Sequence, residues 1–446
     1  MQHEEYDILI TGGLLLTMSG DTEMVKDPVI GIRSGRIESI KKSHAHPPHL
    51  FRAKELIDAS GCLIMPGLVN THTHLPMVCF RGMADDLPLM EWLQNHIWPA
   101  ETRHVSREMV YAGSMLAMAE MILSGTTTFC DAYFYESSVA RATLASGMRG
   151  IVCQGFIDLP EENTPSRIIE IAERFIDRWR DKSPLLIPAL ACHAPYTCTE
   201  GTLVCIKSVA RKAGVPYNIH VSETKEEVEI IRSRHGKSPL RYLRDIDVLD
   251  GHTIAVHCNW LEDDEIDILR TYGVKVSHNP ESSLKLAAGI APVPKLLRNA
   301  VVVGLGTDGT ASNNDLDLFG EMDTAAKIHK MAQMDPTVMD AKTVVKMATI
   351  EGARVLGLDE QIGSIEVGKW ADIIILDMMK PHWIPLFNPY SQLVYAASGA
   401  DVTTSIIGGR VVMRNRELLS IDLPAVAREV KTIADAIAES IVSQPS

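Results

Sequence analysis

The chain lacks the signals that would place it in several common classes. Its eight cysteines, at positions 62, 79, 130, 153, 192, 198, 205 and 258, form no C-x-x-C pair and no zinc-finger spacing. That excludes a dithiol redox motif and a finger-type metal site. Most lie inside apolar segments, where an unpaired cysteine packs as a small hydrophobe. Basic charge is not in excess: the formal net charge is -14, wrong for a broad nucleic-acid or anionic-membrane surface. No block of like charge marks a tail, and no apolar run approaches the ~20 residues that cross a bilayer. Residues 1–10 carry three acids before the first apolar run, unlike a secretory signal. The expectation is a cytoplasmic protein with neither a nucleic-acid nor a membrane partner.

What the chain does have is one design used repeatedly. Between residues 63 and 310, strand-like runs alternate with polar loops and helix-like runs. Candidate strands are Leu63–His74, Thr126–Asp131, Gly150–Ile157, Leu185–His193, Pro216–Val221, Thr253–Cys258, Val274–His278 and Val301–Asp308. Between them, SREMVYAGSMLAMAEMILSG and PSRIIEIAERFIDRWRDK place apolar residues three and four apart, the helical period. Ser106 with Glu108 predicts a cap for the first, and Pro184 a stop after the second.

Strands and helices in this alternation predict an α/β fold, a (β/α)8 TIM-like barrel. A doubly wound sheet alternates similarly but gathers its ligand at a strand-order switch. Here polar residues close at least six strands, which favours the barrel. The flanks differ in texture: YDILITGGLLLTM, PVIGIRSGRIESI and ELIDASG before, GSIEVGKWADIIILD and TSIIGGRVVMRN after, read as short strands and turns. The expected division is a small β-sandwich from both chain ends (1–62 and 363–423), a metal-dependent barrel (63–362) and a C-terminal helix (424–446).

The strand ends carry the chemistry. PGLVNTHTHLPM places His72 and His74 two residues apart, on one face of an extended chain. VPYNIHVSE delivers His220 and Glu223, TIAVHCNW His257, GVKVSHNP His278 and VVVGLGTDG Asp308. A lone histidine in an apolar strand is usually a packed, hydrogen-bonded one; five at strand ends, with an aspartate closing a glycine-rich strand, argue otherwise. A zinc-like ion takes neutral imidazoles and carboxylates and keeps a position for water. His72, His74, His220 and Asp308 supply three nitrogens and an oxygen. Glu223, just past its strand, suits proton transfer, and His257 and His278 suit orienting the water or holding Asp308. By contrast, Asp85 and Asp86 read as solvated or helix-capping acids, and His44, His46 and His49, beside Pro47 and Pro48, as a solvated turn.

Through PGLVNTHTH, HVSE, HCNW, SHNP and GLGTDG, in that order, the chain resembles the amidohydrolase superfamily. RGMADDLPLMEWLQNHIWPAE (81–101), HNPESSLKLAAGIAPV (278–293) and GTDGTASNNDLDLFGEM (306–322) make it similar to the 5-methylthioadenosine/S-adenosylhomocysteine deaminases of that superfamily. The resemblance implies His72, His74, His220 and Asp308 as metal ligands, Glu223 as proton shuttle and His257 as the histidine that polarises the water. It implies Glu101 as the carboxylate gripping the ribose hydroxyls and His193 as a substrate contact, with Trp92 and Ser312 lining the nucleoside pocket. Certain relatives carry an arginine near Gln154 for the nucleoside tail; Arg149 and Arg167 are the neighbouring candidates here. Two-metal barrels of this type bridge their ions with a lysine on the fourth strand. LLIPALACHAPY has none, so one divalent ion is expected: zinc, with iron(II) or manganese(II) also compatible.

The implied reaction is hydrolytic deamination at C6 of 5′-substituted adenosines: 5-methylthioadenosine, S-adenosylhomocysteine, 5′-deoxyadenosine or adenosine. The preferred 5′ group stays open, and self-association into a homo-oligomer is implied. Two rivals remain: a triazine or other amino- or chloro-heterocycle hydrolase on the same scaffold, and a non-catalytic assembly protein. A polynucleotide base deaminase is disfavoured, because the H-x-E and P-C-x-x-C signature is missing.

Overall fold

Leu68–Thr73, Thr126–Tyr133, Tyr217–Val221 and Thr253–His257 are buried at every position, as expected of parallel strands covered on both faces. In the computed structural model, which describes residues 5–20, 23–43, 45–158 and 164–442, they belong to one parallel sheet of eight strands in sequential order. The strands are β1 (Leu68–Thr73), β2 (Thr126–Tyr133), β3 (Arg149–Phe156) and β4 (Leu186–Cys192). They continue with β5 (Tyr217–Val221), β6 (Thr253–His257), β7 (Lys275–His278) and β8 (Val303–Leu305). Closure comes just past β8: Thr73 and Asp308 form a parallel bridge, and the Asp308 N–H donates to the His72 carbonyl at 3.1 Å. The sheet is thus a barrel, with helices between successive strands.

The helices follow their sequence signals. Ser106 caps Arg107–Leu123, its hydroxyl accepting the Met109 N–H, and this helix packs against the C-terminal helix Leu423–Val442. Pro165–Trp179 buries Ile168, Ala172, Phe175, Ile176 and Trp179 along one stripe. No helix among the described residues is long and apolar enough to cross a membrane.

The candidate strand Leu63–His74 is two strands. Cys62–Pro66 pairs antiparallel with Ile373–Asp377 in a seven-stranded mixed sheet, and β1 begins only after Gly67. A Cβ on Gly67 would lie 2.1 Å from Thr127 Oγ1, so the chain crosses between sheets where only glycine fits. A second, four-stranded sheet is built from residues 5–58. The two sheets share a core of branched aliphatics, Ile8, Ile10, Ile30, Ile32 and Ile64 from the N-terminal side with Ile373, Ile375 and Ile406 from the C-terminal side. This accessory domain is therefore built from both chain ends. His46 and His49 are exposed in it, and His44 lies outside the described residues.

Arg149 joins the barrel to the accessory domain. Its guanidinium pairs with the Asp372 carboxylate at 2.7 and 3.1 Å and donates to the Pro184 carbonyl at 3.0 Å. Both side chains are almost fully buried. Arg149 begins β3, at the opposite end from the residues that close the strands, which removes it from any role in nucleoside-tail recognition.

Candidate active site

The residues closing the strands converge on one cleft. Ligand atoms of His72, His74, His220 and Asp308 all lie within 4.8 Å of one another. Two of the imidazoles are aimed by backbone carbonyls: His74 Nδ1 is 2.6 Å from the Ala132 oxygen, and His220 Nδ1 is 2.7 Å from the His193 oxygen. A carbonyl only accepts, so each Nδ1 carries the proton and each Nε2 turns a lone pair inward. His72 Nε2 and His220 Nε2 are 3.2 Å apart, and Asp308 Oδ1 is 3.3 Å from His74 Nε2 and 3.5 Å from His72 Nε2. A tetrahedral ion with bonds of ~2.05 Å spaces its ligands by roughly 3.3 Å. The donor set and its spacing therefore fit a metal ion of the zinc class.

Electrostatics agree with that fit. Burial holds His72 down to about 4 and His220 well below the ordinary imidazole value, so both stay neutral. Burial would raise Asp308, but the surrounding histidines, His72 foremost, hold its carboxyl well below the usual range. Its other oxygen, Oδ2, accepts from Ser282 at 2.6 Å and from Ser312 at 3.0 Å, so Oδ1 is the oxygen turned to the imidazoles.

Glu223 differs from Asp308. Burial, reinforced by the charges of Asp308 and Glu227, pushes it well above the carboxylate range. A carboxylic acid held protonated beside an ionised carboxylate is the pairing that acid–base chemistry needs. His257 Nε2 stands 3.7 Å from Glu223 Oε1. Asn279 Nδ2 lies 3.4 Å from His257 Nδ1; with the amide donating there, the His257 proton sits on Nε2.

The cleft is lined by His74, His220, Glu223, His257 and Asp308, together with Glu101, His193, Trp92 and Ser312. Its other walls are largely apolar, including Trp98, Phe134, Phe156, Ile157 and Leu286. Glu101 lies on the short helix Trp98–His104, where burial raises its carboxyl to about 7. Thr197 Oγ1 donates to the Ala194 carbonyl at 3.2 Å and so accepts from His193 Nδ1 at 2.8 Å. This leaves His193 Nε2 as an acceptor.

Several sequence readings are corrected. His278 neither touches Asp308 nor lines the cleft: its Nε2 is 3.0 Å from His329 Nε2 on the helix Leu318–Gln333. Gln154 donates to the Gly155 carbonyl, Arg167 is exposed, and no lysine or arginine lines the cleft among the described residues. Asp85 pairs with Lys285 at 2.5 Å. As read from the sequence, β4 carries no lysine; Lys207, on the helix Glu200–Ala213, is held by Asp250 at 2.6 Å. Sequence reasoning passed over Tyr133, Ser282, Asn279, Glu227 and Asn259. Three of them stand inside quoted motifs, Asn259 in HCNW and Asn279 with Ser282 in HNPESS.

The amidohydrolase family profile matches residues 63–412. The chain belongs to the amidohydrolase family. It is 47% identical over 433 residues to a 5-methylthioadenosine/S-adenosylhomocysteine deaminase of Syntrophobacter fumaroxidans, covering 97% of this chain and 98% of that one. It is 45% identical over 430 residues to a 5′-deoxyadenosine deaminase of Methanosarcina acetivorans, covering 96% and 98%. Among solved structures it matches an adenosine deaminase from Xanthomonas campestris with bound zinc. That match has a TM-score of 0.95 at 38% identity and covers 98% of this chain and all of the other.

Proposed function

We propose that this amidohydrolase deaminates 5′-substituted adenosines at C6, 5-methylthioadenosine and S-adenosylhomocysteine foremost, with 5′-deoxyadenosine and adenosine as further substrates. The products are ammonia and the corresponding inosine. The observation that carries the reading is that one cleft holds the His72, His74, His220 and Asp308 cluster, Glu223 and Glu101 together. The activities named for the full-length relatives point the same way. A triazine has no vicinal diol to offer the buried Glu101.

One zinc ion is the proposed occupant of the four-residue cluster, iron(II) and manganese(II) being also compatible with it. Such an ion supplies Lewis acidity, bringing the pKa of a coordinated water to roughly 7. The chain's own groups do the proton work. Asp308, ionised, accepts the first proton of the attacking water. Glu223 donates to ring nitrogen N1 as C6 becomes tetrahedral, so charge does not build on the ring. His257 donates from Nε2 to the attacking oxygen. The proton on Asp308 then passes to the departing amino group, ammonia leaves, and the new hydroxyl returns its proton to Glu223 as the C6 carbonyl forms. Glu101 accepts from the ribose, and His193, Trp92 and Ser312 bound the nucleoside. Self-association into a homo-oligomer, on the family resemblance, and a cytoplasmic location complete the proposal.

The test is a substrate panel on metal-analysed protein, followed by loss of the adenine absorbance band. Turnover of 5-methylthioadenosine or S-adenosylhomocysteine is the expected result. Inertness toward both, with turnover of a triazine, overturns the reading.

A further inference from the structure

Tyr133 ends β2 at the cleft, and its phenol donates to Glu101 Oε1 at 2.5 Å. The two residues come from different parts of the fold, one from a barrel strand and the other from the helix Trp98–His104. Both line the cleft. Tyr133 is nearly fully buried, and its position is fixed from behind by Glu136 Oε1, which accepts the Tyr133 N–H at 2.5 Å. Its ring is tilted against His74, with centroids 6.2 Å apart, and meets Phe134 edge-on at 5.1 Å. The backbone of Tyr133 is thus held by Glu136, its ring is flanked by His74 and Phe134, and its hydroxyl is bound to Glu101.

The donor count then decides what the pair can bind. A phenol has one O–H, and here it is spent on Glu101. What Tyr133 still offers the cleft is the lone pairs of its oxygen. Glu101 Oε2 takes no hydrogen bond from the described residues, so with the carboxyl ionised it too is an acceptor. Two adjacent acceptors with no donor between them match a group carrying two adjacent O–H donors. A cis-vicinal diol has that chemistry; a sugar lacking both hydroxyls does not.

We propose that Tyr133 is a specificity-determining residue that reads the ribose diol jointly with Glu101, its phenolic oxygen accepting one hydroxyl while the free carboxylate oxygen accepts the other. This rests on the reading of Glu101 as the ribose-binding carboxylate. The selected class is then the 5′-substituted ribonucleosides, and the 2′,3′-dideoxynucleosides are discriminated against by the pair rather than by Glu101 alone.

The test compares wild type, Tyr133→Phe and Glu101→Gln on 5-methylthioadenosine and on its 2′,3′-dideoxy counterpart, with metal content measured for each. Phenylalanine keeps the ring packing and removes only the oxygen. Tyr133→Phe is expected to lower kcat/KM on the ribonucleoside about 10- to 100-fold, mostly through KM. On the dideoxy substrate the change stays within about threefold, and metal content is unchanged. Equal losses on both substrates would mean that the phenol only supports the fold, and no loss on either would mean that it does not meet the sugar; each result overturns the proposal. Glu101→Gln separates the two levels of the argument. If it fails to discriminate between the substrates, the ribose-site reading falls and this proposal with it. If it discriminates while Tyr133→Phe does not, only the role of Tyr133 is lost.

Discussion

The Glu227 carboxylate accepts the backbone N–H of Glu223 at 2.7 Å, and its other oxygen accepts that of Ser222 at 3.0 Å. From the far side, Asn259 Nδ2 donates to the Glu223 carbonyl at 3.0 Å. The peptide carrying the proposed proton shuttle is thereby gripped at both its donor and its acceptor, and the side chain alone remains to deliver a proton. Glu227 is itself anchored, its N–H donating to Thr224 Oγ1 at the start of the helix Lys225–His235.

Replacing Glu227 with glutamine leaves one of those two N–H groups without an acceptor. We expect kcat to fall about 10-fold, since misplacing a reacting group by an ångström costs up to ~100-fold. KM and bound metal should stay near wild type. Steady-state kinetics with elemental analysis checks this; metal loss would instead trace the effect to His220.

Glu223→Gln and His220→Ala should fail differently. Glu223 is outside the ligand cluster, so glutamine there is expected to keep the metal and lose about 10²- to 10⁴-fold in kcat, the range for a positioned acid–base group. His220→Ala removes one of the four proposed ligands, so metal and turnover should vanish together. A Glu223→Gln protein that purifies without metal would contradict the assignment of roles.

Away from the cleft, Lys207 is buried against Asp250. Burial alone would raise Asp250, but the Lys207 ammonium overrides it and holds the carboxyl at about 2. A carboxyl depressed in the folded state stabilises above its unfolded value of 3.8 and loses that contribution as pH falls toward 2. Asp250→Asn strands a buried ammonium, and with the aspartate partly exposed we expect about 2–3 kcal/mol of destabilisation at pH 7. Urea unfolding at a series of pH values should show the gap to wild type narrowing between about pH 4 and pH 2.

The barrel and the positions of its cluster were legible because His72, His74, His220, His257 and Asp308 each stand where an apolar, β-branched run stops. Period-two alternation puts His72 and His74 on one side, and the structure does bring them together. Other features left no such mark. Thr126–Tyr133 is buried on both faces, so no polar alternation announced that it runs past Asp131 to Tyr133. The strand ending at His278 has only four residues, too few for parity to say which way the ring turns, and it turns to His329. The apolar run Leu63–Pro66 continues into Leu68 and Val69, so the sequence does not divide Leu63–His74, which Gly67, against Thr127, splits between two sheets. Glu227 acts through backbone N–H groups, which residue identity does not advertise.

The pairing of Cys62–Pro66 with Ile373–Asp377 also constrains the order in which the molecule is made. Ile8, Ile10, Ile30 and Ile32 leave the ribosome long before Ile373, Ile375 and Ile406 exist to cover them. The intervening polypeptide, with the whole barrel in it, is synthesised first. The seam uniting the two ends therefore cannot close until the whole barrel has been made.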